Sequence, residues 1–108
     1  MIKGYIDGIL LSILAEGESY GYDIMNTVHE RTLGQLSIKE GTLYPALRRL
    51  EAEGFIQGNW ATQEQGARRR YYHITDSGQT ELHRVKRAWS TNYRAIHTFL
   101  QEDFTQWT

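Results

Sequence analysis

The chain has 108 residues, enough for one small domain with a modest core of its own. It has no cysteine, which excludes a disulfide framework and a thiolate metal site. A formal net charge of −1 excludes a uniformly basic nucleic-acid coat protein, so any DNA binding must come from local segregation of charge.

Near the N-terminus Ile6, Ile9, Leu10, Ile13 and Leu14 follow the i, i+3, i+4, i+7, i+8 spacing of a core helix, predicted from about Lys3 to Ala15 and ended by Gly17. Charged or polar residues interrupt the apolar stretch from Ile9 to Ala15 on both sides, so neither a membrane span nor a cleavable signal is expected. A cytoplasmic protein is the default. Gly8 inside this helix is either a tolerated cost or a point where another helix or a ligand comes close. Ser19 is placed to cap a second helix running to about Leu33, with Ile24, Val28 and Met25 toward the core and Gly34 closing it. Tyr20 and Tyr22 at its start can offer hydroxyls to phosphates or pack as half-buried rings.

Ser37-Ile38-Lys39-Glu40 has the spacing of a capping box for a third helix. Leu43, Leu47 and Leu50 share its buried face, and Gly54 stands just past its end. At about 100° per residue the opposite face carries Gly41, Thr42, Pro45, Arg48, Arg49 and Ala52, small or cationic residues suited to close approach to a polyanion. Pro45 frees the Gly41 carbonyl and predicts a distorted opening turn; it either touches DNA, for example a thymine methyl, or only shapes the helix. Tyr44 lies off the exposed face and either reaches DNA or packs against the hairpin that follows.

Phe55 to Trp60 and Arg70 to Thr75 are rich in β-branched and aromatic residues and read as two strands. The polar stretch from Ala61 to Arg69, with Gly66 in it, is too long for a two-residue turn and suits an exposed hairpin tip. Arg68, Arg69 and Arg70 fall where the tip becomes the second strand, with Arg68 and Arg70 on one side and Arg69 on the other. Thr75 or Asp76 can cap a last helix to about Glu102. Its Leu82, Val85, Trp89, Tyr93, Ile96 and Leu100, with Phe99 beside them, form a near-heptad seam longer than one small domain can cover. A second copy is the expected cover, giving a homodimer with these helices packed across a twofold axis and the first helix joining in.

The order α-α-α-β-β-α, mainly helical with a small β-hairpin, is that of a winged helix-turn-helix (residues 1–75) followed by a long C-terminal dimerisation helix (residues 76–108). Gly21-Tyr22-Asp23-Ile24, the block from Glu40 to Glu51, Gly54-Phe55-Ile56 and the block from Gly66 to Gly78 resemble the signature segments of the PadR family of bacterial transcriptional regulators. The resemblance covers nearly the whole chain, and the single C-terminal helix is similar to the small PadR subgroup. It implies a DNA-binding regulator, a repressor that occupies a pseudo-palindromic promoter site as a dimer. Expected DNA contacts are Tyr20, Lys39, Thr42, Tyr44, Pro45, Arg48 and Arg49, with Gly66, Arg68, Arg69 and Arg70 in the wing. It also implies that Trp89 and its dimer mate, with Gly8, Ile9, Tyr93 and Ile96, line either a plain dimer interface or a flat cavity for a small planar hydrophobic effector.

His29, His73, His83 and His97 make no compact ligand set, and no phosphate-binding Gly loop or nucleophile elbow is present, so no cofactor, metal or catalytic residue is expected. Two alternatives stay open. A winged-helix module that binds protein would pair Arg69 and Arg70 with Glu51, Glu53 or Glu64, and a small-molecule enzyme or carrier would use the cavity independently of DNA.

Overall fold

The apolar spacing near the N-terminus forms α1 (Ile6–Leu14) in the computed structural model, which describes residues 5–101. The expected start at Lys3 and the expected end of the last helix at Glu102 lie outside the described residues. Leu10, Leu11 and Leu14 of α1 are fully buried, and the helix is the centre on which the other elements pack.

The next element is one the sequence did not announce. Ser19 and Tyr20 form β1 (Ser19–Tyr20), and α2 spans Gly21–Arg31. Ser19 is not the helix cap. Its backbone pairs with Tyr72, and its buried hydroxyl donates to the Asp23 carboxylate (2.8 Å), while Tyr20, extended at φ −128°, stands at the cap position without a side-chain cap bond. The end of α2 also comes earlier than Leu33. The Gly34 N–H donates to the His29 carbonyl (2.8 Å) and the Leu33 N–H to Glu30 (3.2 Å), a Schellman ending in which Leu33, exposed, holds a left-handed φ of 52°.

Helix α3 (Glu40–Ala52) begins three residues after the expected cap, because Ile38 is buried in the core and keeps the chain extended through Lys39, which takes the cap position. The amides of Thr42 and Leu43 both donate to the Lys39 carbonyl (3.0 and 2.8 Å), the tightened opening turn that precedes Pro45. Leu43, Ala46, Leu47 and Leu50 are buried as one stripe. At the other end Gly54 takes φ 81° while the Phe55 N–H closes onto the Leu50 carbonyl (3.0 Å), turning the chain directly into β2 (Ile56–Thr62).

β2 pairs antiparallel with β3 (Arg68–Ile74) from Ile56↔Ile74 to Thr62↔Arg68, and β1 adds to the far side of β3, giving the order β1-β3-β2. The pairing runs nearer the tip than the sequence suggested, so Arg68, Arg69 and Arg70 belong to a strand and the tip is only residues 63–67. α4 (Asp76–Leu100) is capped by Thr75, whose hydroxyl accepts from the Gly78 N–H (3.1 Å) and donates to the Gly54 carbonyl (2.6 Å). Gly78 has no room for a side chain, since a Cβ would collide with the Phe55 carbonyl. Leu82 is the last buried residue of α4.

Candidate nucleic-acid interface

With Leu43, Ala46, Leu47 and Leu50 turned inward, the outer face of α3 presents Gly41, Thr42, Pro45 and Arg48, all exposed and without a carboxylate in the stripe. Such a face can lie close to a polyanion and offer a hydroxyl and a guanidinium fork. Lys39 is exposed at the start of the helix. Tyr44 does not project with this group. Its ring packs over Gly21 at the start of α2, where a Cβ would collide with it, and it lies near Tyr72 of β3. Arg49 is turned to the Asp7 carboxylate of α1, an ion pair in a half-exposed setting that tethers α3 to α1.

The three wing arginines have three different seats, set by the strand register. Arg68 and Arg70 share a face with Trp60, and their guanidinium carbons lie 4.9 and 5.5 Å from its ring centre. On the opposite face Arg69 lies 4.0 Å over Tyr20, which meets Tyr71 edge-on at 5.4 Å. Interaction with the Tyr71 side chain raises the Arg69 guanidinium above the ordinary arginine value, desolvation works against it, and the nearby Tyr20 and Tyr71 phenols add to the rise. Arg70 bonds Glu51 on the last turn of α3 (2.7 Å), as the protein-binding alternative anticipates for that residue. Arg69 has no carboxylate partner among the described residues. Burial raises the Tyr72 phenol, and the Arg70 cation beside it pulls the other way. Gly66 takes φ 82° at the hairpin tip.

Trp60, Tyr71 and Gly58 shape this surface and were not singled out from sequence, whereas Glu51 was named there as a possible partner of Arg69 and Arg70. Trp60 and Arg70, the inner ends of the two expected strands, are cross-strand partners in the sheet.

Away from this face, α1, α2 and α4 enclose an open groove of about 770 Å³. Gly8, Ile9 and Trp89 line it, with Val28, Leu36 and Val85, whereas Tyr93 and Ile96 lie farther along α4 and outside it. Gly8 serves close helix approach, because a Cβ there would lie 2.6 Å from Val85. Trp89 and Tyr93 stack at 5.0 Å, and Tyr93 stacks in turn on His97 at 5.3 Å. No described helix is long and apolar enough to cross a membrane, and no three potential metal ligands cluster among the described residues.

Residues 10–84 match the model of the transcriptional regulator PadR-like family. The chain is similar over 93% of its length to a transcriptional regulator from Clostridium thermocellum, at 39% identity, 97% coverage of that chain and a TM-score of 0.87. A PadR-like transcriptional regulator from Bacillus cereus aligns over 95% of this chain and 98% of that one, with 32% identity and a TM-score of 0.80. The negative transcriptional regulator PadR of Bacillus subtilis is 35% identical over 88% of this chain, which spans 50% of that protein's length. Its structure in complex with operator DNA matches 72% of this chain and 43% of that chain at 36% identity and a TM-score of 0.67. From the family match and these neighbours, the chain belongs to the PadR-like family of transcriptional regulators and is not an enzyme.

Proposed function

We propose that the chain is a cytoplasmic repressor that binds a pseudo-palindromic promoter site as a homodimer, with residues 1–75 reading DNA and residues 76–108 holding the dimer. The observation that carries this reading is the stripe of Gly41, Thr42, Pro45 and Arg48 beside a wing bearing Arg68 and Arg69. A helix presenting such a stripe fits the major groove, and wing cations fit the flanking backbone or minor groove. That Bacillus subtilis PadR, similar over most of this chain, forms a complex with operator DNA supports the same partner here. Thr42 and Arg48 are the base-reading candidates, with Pro45 against an apolar base edge and Lys39 and Tyr20 at phosphates. Tyr44, Arg49 and Arg70, each engaged within the fold, act by shaping the surface.

The groove beside Trp89 supports release by a small planar hydrophobic effector stacked on that indole. If operator and effector are coupled, each must weaken the other's binding by the same factor.

The test is fluorescence anisotropy on labelled DNA from the gene's own upstream region against scrambled DNA at two salt concentrations. Binding roughly 10³-fold tighter to the upstream duplex and weakening with salt is expected. Equal weak binding to both would favour the protein-interaction reading, to which the Arg70–Glu51 pair lends its one supporting contact.

A further inference from the structure

Glu51 is out of place on electrostatic grounds. It sits in the last turn of α3, where the helix carbonyls already supply negative charge, and on the element that would meet a polyanion. A lysine there would favour both the helix and DNA. What the carboxylate gains is geometric. A single oxygen, Oε2, accepts from the Gly58 backbone N–H of β2 (3.2 Å) and from the Arg70 guanidinium of β3 (2.7 Å). Arg70 lies flat over Gly58, where a Cβ would come within 2.6 Å of its Nε, and stays close to the Trp60 and Tyr72 rings. The glycine is therefore the space that lets the guanidinium reach Glu51.

From this arrangement we infer that Glu51, through Arg70 and Gly58, is a positioning residue that fixes the angle between α3 and the wing, so that Arg48 and Arg68 engage one duplex together. The inference rests on the reading of α3 and the wing as the DNA contact. Its sign separates it from simple charge effects. Removing a carboxylate beside a polyanion strengthens binding by Coulomb attraction alone, whereas removing a positioning contact weakens it.

The experiment measures anisotropy of wild type, Glu51→Gln and Gly58→Ala on the duplex that wild type selects from its upstream region and on scrambled DNA, with thermal melts alongside. Gly58→Ala leaves the charge unchanged and pushes only against the movable end of a side chain, so the fold should survive it. Both variants are expected to lose about tenfold in affinity for the selected duplex while changing little on scrambled DNA. Tighter binding by Glu51→Gln, or wild-type discrimination in both folded variants, overturns the inference. Failure of the wild-type protein itself to prefer any upstream duplex overturns the DNA-binding reading, a separate result visible before any variant is made.

Discussion

Each of the three consecutive arginines rests on a different partner: Arg68 on Trp60, Arg69 on Tyr20 and Arg70 on Glu51. Identical residues in sequence thus have unequal freedom, and this inequality could not be read from the run itself because it depends on cross-strand register. Arg48 and Arg68, like Arg69, have no carboxylate partner among the described residues, and the proposed roles of Arg48 and Arg68 predict different losses. Replacing Arg48 with Ala should cost about 1–3 kcal/mol on the selected duplex and relax its sequence preference. Replacing Arg68 with Ala should weaken binding to all DNA alike and reduce the salt slope by about 1, both read by salt titration. Leu33 supplies a stability prediction at the same scale. Its left-handed φ of 52° is strained for a branched side chain, and its exposure means that little burial is lost on replacement. Leu33→Asn should raise unfolding free energy by about 1 kcal/mol in a denaturant titration.

At the scale of elements, what was legible was local. The leucine stripe of α3 and the glycine that ends it depend on neighbours within a turn or two, so spacing alone identified them, and it narrowed the cap of α4 to Thr75 or Asp76, of which Thr75 takes the place. β1 was missed because two residues have no periodicity, and their strand exists only through pairing with Tyr71 and Tyr72 far along the chain. The capping box at Ser37 failed for a related reason, since burial of Ile38 in the core outweighs a local cap. The joint between wing and α4 is equally non-local. The hydroxyls of Thr75 and Ser77 both donate to the Gly54 carbonyl, and Gly78 fits against Phe55 with no space for a methyl group. Thr75→Ala should therefore destabilise by about 1 kcal/mol, and Gly78→Ala by about 1–3 kcal/mol, each seen as a lower melting temperature.

For the whole molecule, the outer half of α4 is the face that the proposed homodimer would cover. Trp89, Tyr93 and Ile96 are 45%, 50% and 49% exposed, and Phe99 and Leu100 more so, a continuous apolar face on a helix about 37 Å long. Soluble monomers seldom leave such a strip bare, and a twofold partner would cover it with its own copy. The apolar face was legible from heptad spacing, and Gly8, Ile9 and Trp89 were expected to line a cavity, whereas the α2 side of the groove was not legible because Val28 and Leu36 come from a separate segment. Ile96→Glu should shift sedimentation toward the monomer at micromolar concentration and, with it, lower DNA affinity; a stable wild-type monomer would remove the dimer from the account. Hydroxyl-radical footprinting on the upstream duplex tests the central claim most directly, since it reports DNA binding and twofold geometry in one experiment. Two related protected patches centred about one helical turn, roughly 34–36 Å, apart are expected. A single unpaired patch, or uniform cleavage at saturating protein, would contradict it.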